Sequence, residues 1–275
     1  MLFTGFSIAV LLVAGVVYYL FIHPRLRRQR VASQPFPAPW KTLLERNMHL
    51  YRPLPPELKE RLHPLILIFL DEKRFYGCDG LRVTDTMRVI IAAHACLLIL
   101  GRGLHHYDRL RSILIYPSVY RTHEETYYDE DGVLSMQASE RLGESWHEGR
   151  VVLSWVDVIK DSRAEHPGAN VCLHEFSHQL DQVNGPADGF PELMSEHSPQ
   201  EWSRVFEQEF QQLRHQVVLA QPLVLDEYGA EDPAEFFAVA TEAFFTRPME
   251  MRNQHPHLYE QLQIYYQLDP SSWAQ

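Results

Sequence analysis

The sequence predicts an α+β fold with a small mixed sheet and a helix carrying His174-Glu175-Phe176-Ser177-His178, preceded by one transmembrane helix. Three observations predict it. Short apolar, β-branched runs lie mid-chain, as in Ser112–Tyr116 (SILIY) and Val151–Val158 (VVLSWVDV). Long stretches of helical periodicity fill the C-terminal part, which with the strands ahead of them gives α+β rather than alternating β and α units. Leu2–Ile22 carries no charged residue.

That first run is long enough to matter. At about 1.5 Å per residue a helix over it reaches roughly 31 Å, the thickness of a bilayer core. Tyr18 and Tyr19 fall near its end, and Arg25, Arg27, Arg28 and Arg30 follow directly, with no basic residue before it. The positive-inside rule then puts the body of the chain in the cytoplasm, on a single-pass anchor. A cleaved signal peptide fits poorly, because there is no basic n-region, no small-residue cleavage site and too long an apolar core. Residues 1–30 are therefore read as anchor and basic flank, 31–56 as a proline-rich linker with a short helix around Lys41–Leu50, and 57–270 as one folded domain.

Within that domain Leu58–Leu70 and Thr84–Leu100 read as helices, and Glu124–Asp131 (EETYYDED) as an acidic solvated loop. Val171–Gln182 has helical spacing. Gln200–Ala220 stripes Trp202, Val205, Phe206, Phe210, Leu213 and Val217 along one side until Pro222 breaks it. Asp232-Pro233 opens another helix, Asp as N-cap and Pro in the first turn, which runs through Phe245. A last helix covers about Leu258–Leu268.

Composition narrows the function. A net charge of −11, from 36 acidic against 25 basic residues, is the wrong sign for wrapping a phosphate backbone, so no nucleic-acid partner is expected. The three cysteines, Cys78, Cys96 and Cys172, are too few and too scattered for a disulfide framework and suit a reducing compartment.

The chemistry concentrates in HEFSH. Residues four apart share a helix face, so His174 and His178 can hold one zinc ion, with Glu175 placed to take a proton from water. A catalytic zinc needs a third protein ligand. Asp181 and Asn184 stand where a third-histidine pattern would require Gly and His, which removes that class. The helix opened by Asp232-Pro233 offers Glu235 and, seven residues on, Glu242; spacing does not choose between ligand and supporting partner. Asp181 could fix a ligand imidazole, or face solvent. Tyr228 could donate to an oxyanion or be an ordinary loop tyrosine, and Cys172 points away from the site as a core residue.

Several passages together resemble a known family: LIYPSVY (Leu114–Tyr120), GESWHEGRVVLSWVDV (Gly143–Val158), HEFSHQLDQVNG (His174–Gly185) and DEYGAEDPAEFFAVATEAFF (Asp226–Phe245). The chain resembles the Mlc titration factor A peptidases, which are akin to the anthrax lethal factor catalytic domain. The resemblance implies a zincin-like fold with one zinc ion on His174, His178 and Glu235. It implies Glu175 as general base and Tyr228 as transition-state hydrogen-bond donor in hydrolysis of a peptide or protein substrate. It also implies, more distantly, a regulatory protein partner such as a transcriptional repressor. The uncharged N-terminal run departs from the family pattern.

Overall fold

The computed structural model describes residues 12, 15–16, 18–118, 149–165, 168–195 and 197–273. Among them ten α-helices surround one three-stranded sheet. A π-helical turn, Tyr18–Ile22, leads into α1 (His23–Ala32); α2 (Ala38–Asn47) and α3 (Pro56–Glu72) follow. Then come β1 (Arg74–Gly77), α4 (Asp85–Leu98), β2 (Ser112–Tyr116), β3 (Arg150–Ser154) and α5 (Trp155–Ser162). The C-terminal part holds α6 (Val171–Asp181), α7 (Pro199–Val218), α8 (Pro233–Thr246), α9 (Pro248–Gln254) and α10 (Pro256–Tyr266).

The α+β class is as the sequence predicts. The sheet is not mixed among the described residues: the order is β1-β2-β3 and both ladders are parallel, Arg74 opposite Ser112 and Ser112 opposite Arg150. The strand expected over Val151–Val158 stops at Ser154, whose hydroxyl accepts from Asp157 N–H and starts α5. A local cap thus overrides the β-branched run. β1 was not anticipated. It is only four residues long, and it ends at Gly77, where a Cβ would lie 1.9 Å from Leu81 O.

α4 is the axis of the core. Thr84 caps it by accepting from Met87 N–H, and nearly every later residue is buried, so the helix is apolar all round rather than striped. The segment expected to be a linker is helical over Ala38–Asn47 and sends Leu44, Met48, Tyr51 and Leu54 into the same core, so packing begins before residue 57.

Of the expected transmembrane run Leu2–Ile22, residues 1–11, 13–14 and 17 lie outside the described ones, and no described helix is long and apolar enough to cross a membrane. Leu12, Val16, Tyr19 and Leu20 are exposed. The basic flank folds back onto the body: Arg27 pairs with Asp71 at 2.8 Å, and Arg28 with Glu72 at 2.6 Å and Asp108 at 2.8 Å. The acidic stretch Glu124–Asp131 lies outside the described residues, as does the first part of Gly143–Val158.

Candidate metal centre

Two helices build the site from opposite sides. Asn170 caps α6, its side chain accepting from Leu173 N–H at 3.0 Å, which sets the helix in phase one turn before His174. Cys172, Leu173, Phe176 and Leu180 bury one side of α6, leaving His174 and His178 on the other. α8 starts at Pro233 with Asp232 accepting from Ala234 and Glu235 N–H at 2.8 and 3.0 Å. Its first turn therefore points Glu235 at α6.

Three atoms converge there. His174 Nε2 lies 2.9 Å from Glu235 Oε2 and 3.3 Å from His178 Nε2, and His178 Nε2 lies 3.6 Å from Glu235 Oε2. Ligand atoms about 2.0–2.1 Å from a tetrahedral zinc stand roughly 3.3 Å apart. The triangle has that size. Its chemistry agrees: Glu235 Oε2 is buried yet accepts no properly angled hydrogen bond, although two ring nitrogens are close. One cation at the centre of that triangle would meet all three donor atoms at once, so these residues fit a metal ion.

Glu242, which spacing left undecided, sits behind His174. His174 Nδ1 donates to Glu242 Oε1 at 2.8 Å, while Oε2 accepts from Asn170 N–H. The imidazole is thereby held with Nε2 toward Glu235 and His178, an arrangement that resembles the carboxylate–histidine support of metal sites. Asp181 does something else: Oδ2 accepts Gly189 N–H at 2.8 Å. Gly189 has φ +77°, and a Cβ there would stand 2.4 Å from Pro233 O, so Asp181 fixes the loop that abuts the start of α8. Tyr228, on a 3-10 turn (Glu227–Ala230) capped by Asp226, places its ring centroid 5.8 Å from that of His174. The support from Asn170 was missed in the sequence; an Asn four residues ahead of the first histidine, at a helix N-cap, is the signal that carried it.

The electrostatics of the cluster favour a cation. Burial works against a charged His174, but Glu235 and Glu242 on its two nitrogens outweigh it and push it up to about 10. Glu235 is raised by burial and lowered more by His174 and His178, ending at about 2. Burial raises Glu242. Tyr228 is pushed up to about 12 by burial and by Glu235, Glu231 and Glu175, so its hydroxyl keeps its proton at neutral pH. Asp181 is raised by burial to about 6.

A family model, that of the glucose-regulated metallo-peptidase M90, matches residues 23–267. The chain belongs to that family. The uncharacterized protein slr2042 of Synechocystis sp. is 37% identical over 269 residues, spanning 96% of this chain and 97% of the relative. The Mlc titration factor A proteins of Klebsiella pneumoniae and Cronobacter sakazakii are 32% and 31% identical, over 84% and 85% of this chain and 86% and 87% of their own. The resemblance read from the four sequence passages is thus the family that most of the chain, residues 23–267, matches. For an M90 metallo-peptidase, α6 and α8 supply a coherent donor set.

Proposed function

We propose that this M90 protein is a zinc-dependent peptidase of zincin-like architecture, and the convergence of His174, His178 and Glu235 carries the reading. Bound zinc would supply Lewis acidity, polarising a peptide carbonyl and acidifying water. The rest is the work of this chain's residues. Glu175 follows the first histidine and lies close enough to His174 and Tyr228 to raise the pKa of both. It accepts the proton of the attacking water and returns one to the leaving amine. The neutral Tyr228 hydroxyl donates to the oxyanion that develops at the carbonyl. Glu242 holds His174 in the tautomer that presents Nε2. β3 pairs on one side with β2, and its other edge is unpaired among the described residues. An extended peptide adds along that edge, next to α6.

Glu175→Gln tests the proposal. The variant is expected to keep stoichiometric zinc while losing about 10²–10⁴-fold in turnover of a peptide identified by N-terminal profiling. Turnover equal to the wild type would sink the mechanism.

The relatives' name motivates a second reading, in which the chain sequesters a regulatory protein such as a repressor and its metal is structural. Partner capture that survives Glu175→Gln, with no peptide cleaved by either protein, would favour it. For location we keep the anchor: the uncharged run from Leu2 would hold the site at the cytoplasmic face of a membrane, with α1 clamped to the body by Arg27 and Arg28. Extraction of the full chain by alkaline carbonate would overturn the anchor.

A further inference from the structure

We propose a second transition-metal site, formed by His105, His106 and Glu192, that staples the loop following α6 to the 3-10 turn Leu104–Tyr107. It is separate from the first. Tyr107 packs its ring 5.6 Å from that of Phe176, and Phe176 lies on the side of α6 opposite His174 and His178. The turn therefore sits behind the helix that carries the first donor set.

Four observations support it. One donor atom from each residue falls within 4.8 Å of the other two. His106 is nearly fully buried, yet its Nδ1 has no hydrogen-bond partner among the described residues. That nitrogen faces Glu192 Oε2 at 3.8 Å, too far for a hydrogen bond but close to the ligand spacing around a metal. The rings of His105 and His106 stand 3.8 Å apart between centroids, tilted by 39°.

The elements are positioned rather than incidental. Arg102 donates to Glu192 O at 2.7 Å and to Tyr265 O at 2.8 Å and lies over the Tyr265 ring, which pins the backbone of Glu192 beside the turn. His105 and the Glu192 carboxylate are exposed, so they have the rotamer freedom to close the remaining distance, and solvent can deliver an ion. Two imidazoles and one carboxylate suit zinc, nickel or copper(II) rather than calcium or magnesium.

The test counts metal per chain. The full-length protein is dialysed against buffered zinc near neutral pH, with circular dichroism confirming folding. Two equivalents are expected for the wild type and one for each of His105→Ala, Glu192→Gln and His174→Ala. The double variant His174→Ala/Glu192→Gln should hold none. Added zinc should raise the Tm of His174→Ala but not that of the double variant. A wild type that saturates at one equivalent, retained in Glu192→Gln, overturns the proposal. So does a second equivalent that survives both His105→Ala and Glu192→Gln. If His174→Ala still holds two while Glu192→Gln holds one, the second site stands and the assignment of the first fails instead.

Discussion

Glu242→Gln offers the sharpest measure of how the first site is built. The carboxylate accepts from two donors at once, His174 Nδ1–H and Asn170 N–H. A carboxamide of the same shape accepts from only one and presents an N–H to the other. Either His174 loses the partner that sets its ring, or the backbone at the α6 N-cap is left facing a donor. Removing such support costs about 10–100-fold in metal affinity, or roughly 1.4–2.7 kcal/mol. The loss should also change with pH. In the metal-free protein His174 is held near 10, so below that value zinc must displace a proton and its affinity should rise about tenfold per pH unit. With Glu242 neutralised, one of the two carboxylates that raise His174 is gone, and the slope should flatten at a lower pH. The assay is competitive titration against a chromophoric chelator from pH 6 to 8. A dissociation constant within twofold of the wild type, with an unchanged slope, would refute the reasoning. A loss far beyond a hundredfold would make Glu242 the ligand in place of Glu235.

Three further outcomes are expected. Asp181 is raised from 3.8 to about 6, so the folded state binds its proton more tightly; the associated stability is present below pH 4 and lost as pH rises through 6. Asp181→Asn should therefore gain on the wild type by about 3 kcal/mol between pH 4 and 7, read from urea midpoints with chelator present; a constant difference would show that the group is not titrating there. His94, fully buried and donating Nδ1–H to Ile90 O, is lowered to about 4, so its contribution is intact above pH 6.5 and lost on acidification toward 4, a slope that His94→Leu should remove in the same measurement. Leu44→Ala should cost about 2–5 kcal/mol in a single cooperative transition; a loss below 1 kcal/mol would detach residues 38–54 from the core.

What the sequence disclosed was what local chemistry decides. The HEFSH spacing, the Asp232-Pro233 cap and the stripe from Trp202 to Leu213 each specify their own geometry within a few turns of chain, and they stand in the structure where expected. What depended on tertiary partners was hidden. Glu235 and Glu242 sit seven residues apart on one helix, and no spacing rule says which meets an Nε2 and which an Nδ1 of the same ring. Asp181 read as a neighbour of His178 because both lie on α6, but its partner is a backbone N–H eight residues on, across a loop. The prolines of residues 35–56 suggested a linker. Instead Pro39 and Pro56 each stand at the start of a helix, and the apolar residues between them find the core only because α4 is there to receive them.

The loop after α6 ties these particulars together. At Gly189 it is held by Asp181 and pressed against Pro233, the residue that opens the helix carrying Glu235. Three residues later, at Glu192, it is pinned by Arg102 beside His106. Glu192 of the second donor set and the glycine that abuts the start of the helix carrying Glu235 therefore lie on one short segment. An ion on His105, His106 and Glu192 would reduce the conformations open to Gly189, and so to the first turn of α8, before any ion reaches Glu235. Because coupling between two binding equilibria is reciprocal, filling either site must then favour the other by the same factor. The direction follows from the sign of the entropy: a loop already ordered by one cation loses less on binding the second.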